Sequence, residues 1–289
     1  MDIHTRIERG LERAVAFATA TGQPPRLMQA LRYAVFPGGA RVRPRLCLAV
    51  ASACGDPHPA ASDAAAAAIE LLHCASLVHD DMPCFDDAAT RRGRPALHVV
   101  HGQPLALLTG DALIVLAFET LARECALAPD RLAPLTATVG RAVGSPHGIV
   151  AGQAWESESD IPLADYHRAK TTALFTGATA AGAIAAGADP QPWMQVGEAL
   201  GAAYQTADDL RDIAAGEDEI GKPCGQDAAN GRPNAALSNG VGETVARLQI
   251  LVGAAVDAVP DCPGGPALRA LILGEAKRLV PKNLAHVAA

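Results

Sequence analysis

Apolar segments with helical spacing alternate with short breaks of proline and glycine along the whole chain. Breaks such as Gln23-Pro24-Pro25 and Asp189-Pro190 separate one segment from the next, and none is long enough to link two domains. Alanine, the strongest helix former, recurs from end to end, whereas aromatic residues make up only 3% of the chain. The pattern predicts an all-α protein with a single domain over residues 1–289.

One predicted helix stands out because it leads into an acidic cluster. Residues 64–78 contain no glycine or proline, and the preceding Ser62-Asp63 pair can cap a helix. We expect this helix to carry Asp80 and Asp81 at its C-terminal end, with the following loop bringing back Asp86. Carboxylates there meet the unfavourable end of the helix dipole, and a bound cation would offset that cost.

A second acidic cluster lies in the later part of the chain. Residues four apart on a helix share a face, so Asp208 and Asp212 project together, with Asp209 beside them and Gln205 one turn earlier. A single acidic run is often a solvated surface, but two runs with repeated spacing favour a metal site. Carboxylates suit Mg²⁺, whereas a zinc site would use histidine or cysteine. We therefore predict that the two clusters hold divalent ions and a diphosphate across a cavity.

Charge and composition restrict the class of protein. A net charge of -7 argues against general affinity for nucleic acid or acidic membranes. Seven cysteines without paired spacing favour free thiols in a reducing compartment. The N-terminus lacks the apolar core of a signal peptide, so we expect a cytoplasmic protein. The uncharged stretch from Thr171 to Ala188 is rich in threonine, glycine and alanine, which predicts a packed core helix and no transmembrane segment.

Five motifs occur in an order that resembles the trans-isoprenyl diphosphate synthase (polyprenyl synthetase) family. They are Gly38-Gly39-Ala40-Arg41-Val42-Arg43-Pro44; Asp80-Asp81-Met82-Pro83-Cys84-Phe85-Asp86 with Arg91-Arg92-Gly93; Lys170-Thr171; Tyr204-Gln205 before Asp208-Asp209-Leu210-Arg211-Asp212; and Gly221-Lys222-Pro223-Cys224-Gly225-Gln226-Asp227. The resemblance covers roughly residues 30 to 235.

The resemblance implies a homodimeric helical barrel around a central cavity, with Mg²⁺ as cofactor at three ions per active site. The substrates implied are isopentenyl diphosphate and an allylic diphosphate, which condense head to tail. The metal ligands carried over are Asp80, Asp81, Asp86, Asp208, Asp209 and Asp212. The residues implied to act on the allylic substrate and its reacting carbons are Arg91, Lys222, Lys170, Thr171 and Gln205, the last three being the predicted catalytic residues. Arg43, His73 and Arg92 are implied to bind isopentenyl diphosphate, and Arg232 is a further implied substrate contact.

One position departs from the family motif. Ala40 stands where the family usually has lysine, so one expected contact to isopentenyl diphosphate is missing. Arg41 or Arg45 is expected to compensate, or the affinity is lower. The alanine, together with Gly152-Gln153-Ala154-Trp155-Glu156-Ser157-Glu158-Ser159, is similar to bacterial geranylgeranyl diphosphate synthases of the carotenoid and bacteriochlorophyll branch.

Product length is predicted from the helix before the first cluster. In this family, a bulky aromatic five residues before the first motif aspartate commonly stops the product at fifteen carbons; here that residue is Ala75. One helical turn rises about 5.4 Å, roughly the length of an isoprene unit. We therefore predict a twenty-carbon product, geranylgeranyl diphosphate, with Leu71 and Leu72 forming the floor of the tunnel.

Other functions remain open at this point. A farnesyl diphosphate synthase would run the same chemistry to a shorter product. A class I terpene cyclase usually carries Asn, Ser and Glu ligands in its second motif, where this chain has aspartates. A metal-dependent phosphohydrolase would use the His79-Asp80 pair, but leaves the second cluster unexplained. A noncatalytic synthase subunit often lacks one cluster, and this chain has both.

Overall fold

A computed structural model of the chain describes residues 2–18, 22, 24–36, 39–214, 236–237 and 240–279. They form two compact units. The first extends to Gly140 and includes Ala181–Ala188; the second comprises Arg141–Ala180 and the chain from Asp189 onward. The single domain over residues 1–289 stays a prediction. The sequence predicts a mobile segment from Ala214 to Pro233, which is rich in glycine, proline and acidic residues. Apart from Ala214, this segment lies outside the described residues.

Helices dominate the first unit. They are α1 (Ile3–Ala18), α2 (Pro25–Val35), α3 (Val42–Ala53), α4 (Pro59–Asp80), α5 (Leu97–His101), α6 (Gln103–Glu124), a 3₁₀ turn (Cys125–Leu127) and most of α7 (Pro129–Val143). One antiparallel hairpin joins β1 (Thr90–Arg91) to β2 (Arg94–Pro95). These four residues are the only strand residues in the described part of the chain.

The second unit is entirely helical in its described residues. It contains α8 (Ile149–Trp155), α9 (Leu163–His167), a π-helical segment (Arg168–Thr172), most of α10 (Ala173–Ala186), α11 (Gln191–Ala214), α12 (Val241–Asp257) and α13 (Gly265–Ala276). The prediction of an all-α protein is confirmed.

Helix α4 is the centre of the first unit and packs against α1, α3 and α6. It begins at Pro59, because a proline in the first turn gives up no hydrogen bond. The predicted cap at Ser62 or Asp63 is therefore wrong. The Ser62 hydroxyl donates to Asp56 Oδ1 over 2.5 Å, and Asp63 pairs with Arg6 at 2.8 Å, so both side chains bind residues outside the helix.

In the second unit, α11 packs against α12 through small and branched side chains. Ala203, Ala207 and Leu210 of α11 are buried in one cluster with Val245 and Leu248 of α12. Burying a leucine side chain contributes about 1.5–3 kcal/mol. This packing fixes the helix that carries the second acidic cluster.

The long apolar stretches fold into helices as expected. Most side chains of α10 from Leu174 onward are buried, which confirms the predicted core helix between Thr171 and Ala188. Among the described residues, two other helical stretches are long and apolar enough to cross a membrane by length and composition. In the most apolar run of 18 residues, 78% of the residues are buried for Pro59–Asp80, whereas 44% are buried for Gln103–Leu127.

Candidate active-site residues in each unit

The first acidic cluster forms where α4 ends. Asp80 and Asp81 are buried, and Asp86 is partly exposed. The Asp86 backbone N–H donates to the Asp80 carbonyl over 2.9 Å, which closes the loop and returns Asp86 to the helix end as predicted. Cys84 is exposed at the tip of this loop. Buried carboxylates held this close together favour a cation, because each raises the electrostatic cost of the others.

Asp81 forms an ion pair with Arg91. Arg91 donates from Nε to Asp81 Oδ1 over 2.8 Å, and its Nη2 group donates to the same oxygen. Burial raises the pKa of Asp81, and Arg91 partly opposes that rise. Burial alone would lower the pKa of Arg91, but the hydrogen bond and charge of Asp81 raise it. Arg91 therefore stays charged beside the cluster.

The β1–β2 hairpin positions two consecutive arginines. Its turn residues Arg92 and Gly93 both have positive φ, at 55° and 71°, as the tight turn of a hairpin requires. Arg92 lies against Gly39, where an added Cβ would come within 2.9 Å of the guanidinium carbon. Gly39 of the first motif thus leaves space for the side chain of Arg92, which follows the first acidic cluster in the sequence.

His73 and Arg43 contact each other in the same unit. Arg43 Nη1 lies 3.2 Å from His73 Nε2. Burial lowers the pKa of His73 well below its usual range, and the charges of Arg43 and Arg92 lower it further. In a neutral ring, Nε2 accepts a hydrogen bond from Arg43 Nη1, and Nδ1 carries the proton and can donate. These three predicted substrate contacts are therefore close enough to influence one another.

Arg41 is a structural residue, contrary to the expectation that it could compensate for Ala40. Its side chain is buried and donates to Glu8 at 2.9 Å, to Glu70 at 2.7 Å and to the Val35 carbonyl at 2.8 Å. These bonds engage all three guanidinium nitrogens. Of the two arginines considered, Arg45 alone remains a candidate for compensation.

The predicted chain-length residues Leu71, Leu72 and Ala75 are all fully buried in α4. A cleft in the first unit is instead lined by the neighbouring positions Cys74 and Val78. Asp81 and the arginines of the hairpin line the same cleft. The three predicted residues do not line it, so their role in product length stays a prediction.

The second acidic cluster lies on α11, near its C-terminal end. Asp209 and Asp212 are buried, and Asp208 is exposed. Gln205, one turn earlier, donates from Nε2 to Asp209 Oδ1 over 2.8 Å. Thr171 donates its hydroxyl proton to Gln205 Oε1 over 2.5 Å. The predicted catalytic residues Thr171 and Gln205 are thus joined in one hydrogen-bonded chain to a predicted metal ligand.

Lys170 and Thr171 lie on the π-helical segment, a feature that often marks functional sites. Two glycines bring neighbouring helices close to this segment. An added Cβ at Gly152 of α8 would lie 2.4 Å from the Lys170 backbone nitrogen, and one at Gly201 of α11 would lie 2.6 Å from the Thr172 Cα. The backbone that carries the predicted catalytic pair is therefore held from two sides.

Lys170 also forms an ion pair that the sequence did not predict. Its Nζ group donates to Oε1 of Glu156, and the Tyr166 hydroxyl donates to the same oxygen over 2.6 Å. Glu156 lies in a segment noted for its resemblance to a subgroup, but its position in the sequence indicated no partner. The remaining predicted residues, Lys222 and Arg232, lie outside the described residues.

Comparison with known proteins gives a consistent family. The polyprenyl synthetase family model matches residues 24–253. Geranylgeranyl diphosphate synthase of Cereibacter sphaeroides is 51% identical over 285 residues, 99% of each chain. Geranylgeranyl diphosphate synthase of Rhodobacter capsulatus is 49% identical over 272 residues, 94% of each chain.

Solved structures show the same similarity. A geranyltransferase from Helicobacter pylori, complexed with magnesium and isoprenyl diphosphate, aligns with a TM-score of 0.80 and 26% identity, over 96% of this chain and 97% of that one. Geranylgeranyl pyrophosphate synthetase from Pyrococcus horikoshii aligns with a TM-score of 0.79 and 27% identity, over 96% of each chain.

Proposed function

Since the chain belongs to the polyprenyl synthetase family, we propose that it is a trans-prenyltransferase that condenses isopentenyl diphosphate with an allylic diphosphate to make geranylgeranyl diphosphate. The observation that carries this proposal is the likeness to two bacterial geranylgeranyl diphosphate synthases over nearly the whole chain, at 51% and 49% identity. The synthase domain spans residues 1–289 in this proposal.

Magnesium fits the chemistry of the acidic residues. The two clusters offer only hard carboxylate oxygens, and four of the six aspartates are buried, where an unpaired charge is costly. We assign Asp80, Asp81 and Asp86 of the first unit, and Asp208, Asp209 and Asp212 of the second, as ligands to three Mg²⁺ ions. When bound, these ions neutralise charge that develops on the departing diphosphate.

The basic residues bind the two diphosphates. Arg91, Lys170 and Lys222 hold the allylic diphosphate, since guanidinium and ammonium groups pair with phosphate oxygens. The Asp81–Arg91 ion pair supports this role, because it holds a charged guanidinium beside predicted metal ligands. Arg43, His73 and Arg92 bind isopentenyl diphosphate, and Arg232 is a further substrate contact.

The reaction breaks the carbon–oxygen bond of the allylic diphosphate, and the electron pair leaves with the diphosphate. The isopentenyl double bond then attacks the allylic carbon, and a proton passes to the released diphosphate. Because the Thr171 hydroxyl donates its proton to Gln205, its oxygen lone pairs remain available to face positive charge on the reacting carbons. Exclusion of water prevents premature capture of the cation.

The twenty-carbon product follows from Ala75. This position carries only a methyl group, whereas an aromatic ring there would occupy more of the space that a longer product needs. Leu71 and Leu72, one turn deeper, form the floor.

The active protein is a homodimer. The exposed face of α6 carries the apolar side chains of Leu107, Leu108 and Val115, which are 48%, 52% and 65% exposed. A second copy of the chain would cover this face. The largely buried α4 supports a soluble protein, and we place it in the cytoplasm. Light scattering should give twice the chain mass of 29.6 kDa, and Leu108→Glu should shift the protein to monomer.

A product assay tests the function directly. Labelled isopentenyl diphosphate is incubated with dimethylallyl, geranyl or farnesyl diphosphate in turn, with and without Mg²⁺. We expect geranylgeranyl diphosphate as the end product and no product after chelation. Accumulation of only the fifteen-carbon product would identify a farnesyl diphosphate synthase. Diphosphate release without isopentenyl diphosphate would indicate a phosphohydrolase instead.

A further inference from the structure

Glu156 connects two side chains of the second unit at a single carboxylate oxygen. The Tyr166 hydroxyl donates to its Oε1 over 2.6 Å, and Lys170 Nζ donates to the same atom. Lys170 Nζ also lies 5.6 Å from the centre of the Tyr166 ring. The three side chains therefore form one compact group around the ammonium.

Local geometry brings this group together. Glu156 follows the last residue of α8, and its backbone N–H donates to the Gln153 carbonyl over 3.2 Å, which continues the turn of the helix. Gly152 allows α8 to approach the backbone of Lys170 more closely than any side chain would permit. The close approach of the two backbones leaves little freedom for the Glu156–Lys170 pair.

The Glu156–Lys170 ion pair is largely shielded from water, which strengthens the interaction between the two charges. The Glu156 side chain is 8% exposed, whereas Lys170 is 23% exposed. A buried carboxylate is stable as an ion only with charged or hydrogen-bonding partners, so Glu156 and Lys170 hold each other in place. Removal of the Glu156 charge would take the opposite charge away from the Lys170 ammonium. An ammonium has three N–H donors, and a bond to Glu156 uses one.

We propose that Glu156, together with Tyr166, is a positioning residue that fixes the ammonium of Lys170 for the allylic diphosphate. This rests on the proposed function, in which Lys170 contacts that substrate. A flexible lysine loses rotamer entropy when it binds a phosphate. Because Glu156 already orders the Lys170 side chain in the folded protein, less entropy is lost when the substrate binds. Glu156 thereby favours one orientation of the catalytic group without touching the substrate.

Steady-state kinetics with farnesyl and isopentenyl diphosphates test the proposal. Glu156→Gln keeps the shape of the side chain but removes its charge. We expect kcat/KM for farnesyl diphosphate to fall about tenfold, the size of one charge-assisted hydrogen bond. The KM for isopentenyl diphosphate should stay unchanged. Tyr166→Phe should give a smaller loss in the same parameter, and Glu158→Gln, an exposed carboxylate two residues on, serves as the matched control.

A double-mutant cycle separates positioning from a general structural role. In a Lys170→Ala background, Glu156→Gln should cause no further loss, because its effect passes through the lysine. Independent, additive losses would overturn the proposal and assign Glu156 to the fold. An increase in kcat/KM for Glu156→Gln would also overturn it, since the carboxylate would then compete with the substrate.

A binding measurement gives a readout besides turnover. Calorimetry with a farnesyl diphosphate analogue that has sulfur in place of the bridging oxygen should show about tenfold weaker binding to Glu156→Gln than to the wild type. Equal affinity would count against positioning. If the wild type makes no prenyl product, the proposed function fails. If Lys170→Ala is fully active, the contact of Lys170 with the allylic diphosphate fails, and the positioning role fails with it. If both behave as expected and Glu156→Gln matches Glu158→Gln, only the positioning role fails.

Discussion

Arg41 donates from Nη1 to Glu70 Oε1 over 2.7 Å, and the two side chains are only 1% and 2% exposed. Burial opposes the charged form of Arg41, but the charge of Glu70 and the hydrogen bonds to Glu8 and Glu70 raise its pKa, so the guanidinium stays charged in the core. Its left-handed backbone, with φ of 51°, turns the chain into α3 at the same point. An arginine in a motif that resembles a substrate-binding sequence is thus part of the folding core.

Removing one partner of this pair should destabilise the protein strongly. We expect Arg41→Ala to lower the free energy of unfolding by about 3–5 kcal/mol, because Glu70 would remain buried without its partner. Arg32→Ala breaks the exposed pair with Glu12 and should cost about 1 kcal/mol or less. Urea unfolding measures both. Similar losses for the two variants would contradict a structural role for Arg41.

Each acidic cluster should be essential for turnover but not for folding. We expect Asp80→Ala and Asp208→Ala each to lower kcat by more than about 100-fold, since even residues that only support metal ligands can cost that much. Circular dichroism should remain helical. Asp160→Ala, at an exposed acidic residue outside both clusters, is the control. Wild-type rates in either cluster variant would count against the metal assignment.

Enlarging Ala75 should shorten the product. We expect Ala75→Phe to stop at fifteen carbons, because the ring would fill the space needed for another isoprene unit. Overpacking alone costs about 1–3 kcal/mol. Ala68→Phe controls for that cost, since Ala68 is equally buried on the same helix but lies beyond the predicted floor. Chromatography should then find twenty carbons for Ala68→Phe, and a shortened product in both variants would contradict the prediction.

The pKa of His73 predicts a dependence of stability on pH. Burial and the nearby arginines lower this pKa well below 6.5 in the folded state, so only the unfolded chain binds the proton as pH falls through that value. The free energy of unfolding therefore falls by up to about 1.4 kcal/mol for each pH unit below pH 6.5. Denaturant titrations should find a shallower decline for His73→Gln between about pH 6.5 and 5. Parallel curves would show that His73 does not resist protonation.

The contact at Gly152 predicts that a single methyl group perturbs catalysis. In Gly152→Ala the new Cβ would lie 2.4 Å from the Lys170 backbone nitrogen, so the backbone of the predicted catalytic pair must shift. A misplacement of about 1 Å can cost about 100-fold in rate. Gly253→Ala, on an exposed part of α12 with no atom near the new methyl, should keep full activity and gain up to about 1 kcal/mol. Equal rates in both variants would contradict this account.

Features set by local spacing could be read from the sequence. The helix ending at Asp80, the return of Asp86 and the core helix α10 all depend on residues close together in the chain. The start of α4 could not be predicted in the same way. Ser62 and Asp63 are good capping residues, but Asp56 and Arg6 bind their side chains instead. Tertiary partners overrode a local preference there.

The ion-pair partners of individual charged residues could not be predicted from the sequence either. Arg41 and Glu70 are 29 positions apart, and no periodicity links them. Lys170 was predicted from its motif, but its ion pair with Glu156 depends on a close helix approach at Gly152. The likeness to the family indicated which residues are candidates for the chemistry. Only coordinates could show which neighbours orient them.

The loop of the first acidic cluster also carries a thiol that can serve as an optical reporter. Cys84 is the exposed cysteine among the six in the described part of the chain. Burial raises the pKa of Cys74 to about 12, so that neighbour resists alkylation at neutral pH. With Cys224 replaced by serine, a fluorophore coupled to Cys84 would sit beside the carboxylates that we propose as metal ligands. Its emission would follow the arrival of ions and diphosphate in real time, independently of product formation.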